Sequence, residues 1–206
     1  MSFVSLRRNM DNFIFDLGGV LLNLPVEMAE IKFNGKVKDV IINEVCLSEE
    51  WANLDRGTLS EEEATEIFVT RYPEYASEIK YFMENWVDWF EPKTKTVKVL
   101  QYLKNNGKKL YILSNFHKKA FEIVEKRFDF FNLFDGGVVS ADVKLLKPEI
   151  EIYKTLIDKY SLDAEKTVFI DDNPSNVEAA KKTGITSVLA ENLDQALNSL
   201  LEMVPV

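Results

Sequence analysis

The sequence predicts an α/β protein: a mostly parallel sheet flanked by helices, with a small helical insertion near its start. Three observations carry this reading. Short apolar runs alternate with segments whose apolar residues recur at three and four. Repeated strands joined by helices are satisfied by a parallel sheet covered on both faces through right-handed crossovers. Three of the runs end in polar residues, at Asp16, at Ser114 with Asn115, and at Asp171 with Asp172. Sheets of this kind gather functional groups at the carboxyl ends of their strands.

In chain order, Asn12 to Phe15 reads as a buried strand that stops at Asp16-Leu17-Gly18-Gly19. From about Leu22 to Pro92 the texture is helical, in MAEIKF, VKDVIINEVCL, SEEEATEIFVTRY and ASEIKYFMENWVDWF, with no strong strand signal. Ser60 and Glu63 have the form of a capping box, and Asp55-Arg56-Gly57-Thr58 reads as the turn before it. The division expected is therefore a core of residues 1–21 and 93–206 with an inserted cap of 22–92, the chain crossing at Leu22 to Asn23 and at Glu91 to Lys93. After Pro92 the alternation resumes. A helix over Thr96 to Asn105 ends near Gly107, KLYILSN is a strand, and Lys118 to Phe128 is a helix. GGVVSA is a short strand, Glu149 to Tyr160 a helix entered at Pro148, TVFID a buried strand, and Ser175 to Lys182 a helix stopped by Gly184. TSVLA and a helix over Leu193 to Met203 complete the series.

Composition narrows the function classes. With 206 residues, 46% apolar and 29% charged, the chain suits one sizeable core carrying an insertion. The net charge of −9, from 34 acidic and 25 basic residues, disfavours nucleic acid or an anionic membrane as partner. An anionic substrate would need local lysines and a cation to offset that field. The single cysteine, Cys46, reads as a buried small hydrophobe and fits a cytoplasmic setting. Arg7 and Arg8 are followed by no apolar stretch, so neither a signal peptide nor a membrane span is expected.

Clustered carboxylates repel one another unless a cation lies among them. Asp16, Asp171 and Asp172 at one edge suit Mg2+, which prefers oxygen ligands, and the lone His117 cannot build a zinc site. Lys147 can reach back over the same edge to neutralise a carboxylate or phosphoryl group, whereas Lys144 reads as a solvated loop residue. Ser114 and Asn115 offer a hydroxyl and an amide to phosphate oxygens. Gly18 and Gly19 allow close backbone approach and leave amides free to hold a ligand. Asp16 is the expected nucleophile, forming an aspartyl-phosphate that water then hydrolyses. Candidates for specificity contacts are Asp55, Arg56 and Thr58 in the insertion and Phe116 and His117 beside the site. The aromatics Tyr81, Phe82, Trp86, Trp89 and Phe90 read as packing between cap helices or at the core junction. Phe128, Phe130, Phe131 and Phe134 read as covering a sheet edge, with self-association left open.

FIFDLGGVL, ILSN, LLKPEIEIY and FIDDNPSN, in this order, resemble the four motifs of the haloacid dehalogenase-like hydrolase superfamily. The resemblance implies a Rossmann-like core with a cap inserted after the first motif. It also implies Asp16 as nucleophile, Ser114 on phosphate, Lys147 orienting both, and Asp171, Asp172 and the Gly18 carbonyl on magnesium. The DLG opening of the first motif, Asp55-Arg56-Gly57-Thr58-Leu59-Ser60 and the tail DDNPSNVEAAKKTGITSVL resemble bacterial phosphatases acting on alpha-D-glucose 1-phosphate, which suggests a small phosphomonoester, a sugar phosphate, as substrate.

One position departs from the pattern. Phosphatases of the superfamily typically carry an Asp two residues after the nucleophile as general acid and base; here it is Gly18. Such catalysis is commonly worth roughly 10²–10⁴ in rate. Three accounts remain open: a good leaving group, a proton from a cap residue or water near His117 or Asp55, or a non-catalytic phospho-ligand-binding regulatory protein. A 2-haloacid dehalogenase is a further alternative, but those enzymes typically carry Ser-Ser-Asn where this chain has Asp171-Asp172-Asn173.

Overall fold

The computed structural model describes residues 9–204, so the expectation attached to Arg7 and Arg8 lies outside the described residues. Within them, β1 (Asn12–Phe15), β2 (Lys109–Ser114), β3 (Gly136–Val139), β4 (Thr167–Asp171) and β5 (Thr186–Leu189) form one sheet. All neighbours pair parallel in the order β3-β2-β1-β4-β5. The chain winds outward in opposite directions from β1, which leaves a crevice at the carboxyl ends beside that strand. Phe15 pairs with Ile112 on one side and Ile170 on the other, and the Asp16 amide continues the ladder to the Ile170 carbonyl at 3.0 Å. Asp16 is thereby level with the end of β4.

Alternation along the strands divides the core between the two faces. Phe13 and Phe15 pack on one side with Leu110, Ile112 and Ile170. They meet helices α6 (Thr94–Asn105), α7 (Lys118–Arg127) and α11 (Leu193–Glu202). Phe134 contributes here, edge-on to Phe15 at 6.3 Å, and Phe130 and Phe131 are buried, so the phenylalanine-rich segment belongs to the core. On the other face Ile14, Tyr111, Leu113 and Phe169 pack on α9 (Ile150–Tyr160) and α10 (Pro174–Lys181).

The insertion is helical throughout: α1 (Pro25–Lys32), α2 (Gly35–Asp39) continuing into a π-helical segment Val40–Cys46, α3 (Glu49–Arg56), α4 (Glu61–Arg71) and α5 (Ala76–Asn85). Ser60 and Glu63 form the reciprocal capping box at the start of α4. Cys46 is buried, and burial pushes its thiol up to about 12. Where the chain enters and leaves the insertion its two arms run antiparallel, with Leu22 paired to Pro92 and Asn23 bonded to Glu91 through backbone and side chain. No helix among the described residues is long and apolar enough to cross a membrane.

One expectation needs correction. Asp55 and Arg56 are not in a turn but in the last turn of α3, with only Gly57 and Thr58 beyond it. The Ser48 hydroxyl accepts from the Trp51 amide to start this helix, and Gly57 at φ 69° ends it. The Ser48-to-Gly57 spacing was the available signal.

Candidate active site

The carboxyl ends of β1, β2 and β4 bring Asp16, Ser114 and Asp171 together in the interior. Relative exposure is 8% for Asp16, 1% for Ser114, 4% for Lys147 and 0% for Asp171, so the cluster is covered. Two donors bond to Asp16 Oδ1, the Leu17 amide at 2.7 Å and the Ser114 hydroxyl at 2.9 Å, and Lys147 Nζ pairs with the same oxygen at 2.8 Å. The carboxylate is thus oriented through one oxygen, and Oδ2 is the one these donors leave free.

Lys147 Nζ also contacts Asp171 Oδ2 at 2.6 Å and donates to the Leu113 carbonyl at 2.9 Å. It bridges the ends of three strands. Its position is set by Asn115, whose amide donates to the Lys147 carbonyl at 3.0 Å and whose side-chain oxygen accepts from the Lys147 amide at 2.8 Å. Asn115, expected on phosphate, therefore uses both its polar ends to clamp the lysine.

Asp171 is the most heavily bonded group. Besides Lys147 it accepts from the Asn173 amide at 2.8 Å and from Asn176 Nδ2 at 3.0 and 3.1 Å on its two oxygens. Asn176 was not singled out from sequence, although it lies in the same DDNPSN run, one helical turn into α10. Asp172 is half-buried beside Gly19. A Cβ on Gly19 would stand 2.1 Å from Asp172 Oδ2, and φ there is +72°, so the turn admits only glycine if Asp172 is to approach it.

The electrostatics call for a cation. Burial raises Asp16 from its ordinary value to about 7, against the pull of Lys147, and Asp171 and Asp172 add to the rise. Burial and then Asp171 also raise Asp172. Burial alone would depress Lys147, but Asp16 and Asp171 outweigh it and hold the ammonium above its ordinary value. Three carboxylates against one ammonium leave two uncompensated negative charges where a phosphate would have to bind. One oxygen from each of Asp16, Asp171 and Asp172 lies within 4.8 Å of the others, a hard all-oxygen donor set that fits Mg2+.

The remaining predicted residues divide. Phe116 is buried under Phe90 at 5.5 Å, its amide bonded to the Ser140 hydroxyl. Ser140, immediately beyond β3, was not singled out; its place at the same sheet edge was the signal. His117 is buried between Trp51 at 4.6 Å and Trp86 at 4.8 Å. Asp55 lies across from it, Oδ1 being 3.3 Å from His117 Nε2. Arg56 pairs with Glu149 and donates to the Lys144 carbonyl, and the Thr58 hydroxyl turns back to Asn53, so neither projects as a free specificity group. Lys144 is not simply solvated: its Nζ donates to the Gly57 carbonyl, tying core to insertion.

A family model described as haloacid dehalogenase-like hydrolase matches residues 13–190. A sesquiterpene phosphatase of Aspergillus oryzae is 27% identical over 191 residues, covering 92% of this chain and 93% of that protein. Drimenol cyclase of Aspergillus calidoustus is 30% identical over 190 residues, 91% of this chain, which spans only 35% of the cyclase's length. A HAD family enzyme of Bacteroides thetaiotaomicron, solved in complex with magnesium and inorganic phosphate, has a similar fold, with a TM-score of 0.67 at 23% identity over 87% of this chain and 93% of that one. A parallel sheet that delivers these carboxylates to one edge, matched by a family model from the first strand to the last, places the chain among the haloacid dehalogenase-like hydrolases.

Proposed function

We propose that the chain is a Mg2+-dependent phosphatase that hydrolyses a small phosphorylated metabolite, a sugar phosphate, through an aspartyl-phosphate on Asp16. The observation that carries this reading is the orientation of Asp16 at the end of β1, held through Oδ1 by Leu17, Ser114 and Lys147. A carboxylate fixed through one oxygen keeps the other for attack on phosphorus, and pre-orientation of this kind lowers the barrier by removing the entropy of alignment. The amides of Gly18 and Gly19 hold phosphoryl oxygens, Ser114 joins them by turning its single hydroxyl proton from Asp16 to the phosphate, and Lys147 neutralises charge as it gathers on them. Asp16, Asp171, Asp172 and the Gly18 carbonyl would hold magnesium, which when bound would supply positive charge to the phosphoryl group. Two adjacent carboxylates at 171 and 172 favour phosphate over the haloacid reaction.

In this reading residues 22–92 act as a cap that excludes water over the core, and the protein works in the cytoplasm. The magnesium and phosphate complex of the Bacteroides enzyme and the name of the Aspergillus phosphatase support phosphate as the group handled. An apolar terpenyl phosphate is a second reading, favoured by the buried aromatic seam of Trp51, Trp86, Phe90 and Phe116 between insertion and core.

Phosphate release from a panel including alpha-glucose 1-phosphate and farnesyl phosphate, with and without magnesium and beside Asp16→Asn, tests both. Metal-dependent turnover lost in Asp16→Asn is expected, the sugar ester leading. A farnesyl preference selects the second reading. A folded, magnesium-binding protein inert on every ester would instead be a phospho-ligand-binding protein.

A further inference from the structure

Hydrolysis of an alkyl phosphate needs a proton for the departing oxygen, and around Asp16 the carboxylates Asp171 and Asp172 are the pair that would hold magnesium. Lys147 is shared between two carboxylates, and Asp171 accepts from the lysine, from Asn176 and from the Asn173 amide. Position 18 holds no acid, and a side chain there would meet Leu24 Cδ2 at 3.0 Å from its Cβ. The donor must come from elsewhere.

The last turn of α3 supplies a candidate. Three consecutive residues are tied to core loops beyond β3: the Asp55 carbonyl accepts from the Ser140 hydroxyl, Arg56 engages Glu149 and the Lys144 carbonyl, and the Gly57 carbonyl accepts from Lys144. Ser140 in turn holds the Phe116 amide at the end of β2, at 2.9 Å. Asp55 is thereby fixed at the edge that carries Asp16, its side chain 18% exposed. His117 faces it with a side chain 3% exposed. Its Nε2 contact to Asp55 is off the ring's hydrogen-bond direction, and Nδ1 is 3.8 Å from Glu61 Oε1, too long for a bond. Both ring nitrogens are thus without a hydrogen-bond partner among the described residues, in a pocket otherwise walled by tryptophan.

We propose that Asp55, seated against His117, is the proton donor to the leaving oxygen and the proton acceptor from the attacking water. This rests on the phosphatase reading. In the first step an Asp16 oxygen bonds to phosphorus, the bond from phosphorus to the ester oxygen breaks, and the Asp55 proton goes to that oxygen. In the second, water attacks phosphorus, its proton passes to the Asp55 carboxylate, and the bond to Asp16 breaks to release inorganic phosphate. Burial lifts Asp55 to about 6 against the pull of His117 and Lys147, which keeps a protonated fraction near neutrality. The other charged groups at this seam, Glu61 and Lys119, face His117 or each other.

The test separates the two half-reactions. Wild type and Asp55→Asn, the latter checked for a native circular dichroism spectrum, are compared on a primary alkyl phosphate and on 2,4-dinitrophenyl phosphate, whose leaving group needs no proton. The variant should lose roughly 10²–10⁴ in kcat on the alkyl ester. On the aryl ester it should keep a full first-turnover burst of dinitrophenolate and then turn over slowly, because water activation fails. In wild type the alkyl-ester rate should fall at high pH as the donor deprotonates, while the aryl burst should not. Equal loss of burst and alkyl turnover, or no loss of either, with an active wild type, overturns the role of Asp55 alone. A wild type inert on both esters overturns the phosphatase reading and this inference with it.

Discussion

Gly19 sets how closely Asp172 can approach the turn that follows Asp16. With φ at +72° and Asp172 Oδ2 at 2.1 Å from where a Cβ would stand, Gly19→Ala must displace the carboxylate. We expect magnesium affinity to fall by roughly 10–100-fold, as for disturbed metal-site neighbours, and stability to fall by about 1–2 kcal/mol from the left-handed backbone alone. Calorimetric titration with magnesium beside a denaturant melt measures both; wild-type affinity in the variant would refute the steric argument. Most site residues were legible because polar groups ended apolar strands: Asp16, Ser114, Lys147, Asp171 and Asp172 fall together as their positions suggested. Asn115, read as a phosphate contact, is bonded to the Lys147 backbone here, and Asn176 was not singled out. A side-chain amide after a strand looks the same in sequence whether it meets a ligand or clamps a neighbouring backbone.

Helix α3 shows where local signals are overlooked. Its Ser48 and Gly57 caps are ordinary, yet the eight residues between them are short enough to read as a connection, and only packing against α8 (Ser140–Val143) reveals their placement. The strands and most helices of the core were legible from periodicity, although Ser140 and Ala141, read as the end of a strand, begin α8; the contacts that hold the insertion down were not legible, because they join residues some ninety positions apart. The pair Arg56 and Glu149 is one such tie, with side chains 31% and 34% exposed. A pair that exposed is worth about 0–1 kcal/mol, so Arg56→Ala should leave the melting point nearly unchanged. It should speed proteolysis at residues 22–24 and 91–93, where the arms cross, and raise KM more than it lowers kcat. Unchanged proteolysis and KM would show that the pair does not hold the insertion closed.

For the molecule as a whole, the buried acidic cluster sets the pH dependence of stability. Asp16 and Asp55 have folded values of about 7 and about 6, above their ordinary 3.8. The folded state therefore binds more protons than the unfolded chain between about pH 4 and pH 7, and metal-free stability falls as pH rises through that window. Asp135 runs the other way, held at about 2 by Lys104, Lys109 and the Leu110 amide against its burial, so its contribution is lost only in stronger acid. Melting temperatures in chelator should thus drop from about pH 5 to about pH 8, and magnesium should raise them more at the higher pH, where no proton competes. Asp16→Asn in chelator should flatten the curve; an unchanged slope would contradict the assignment of its cause. The charge of −9 and the gathering of Asp16, Asp171 and Asp172 were visible in the sequence, but the depth to which Asp16 and Asp171 are covered was not.

Turnover in the proposed reaction passes through a phosphorylated Asp16. Rapid acid quench during turnover, followed by mass spectrometry of the peptide carrying Asp16, tests it directly. A phosphoryl adduct on Asp16 that forms and decays with turnover, and is absent in Asp16→Asn, is the predicted result. Steady phosphate release with no adduct at any time, or turnover that survives Asp16→Asn, would contradict the account.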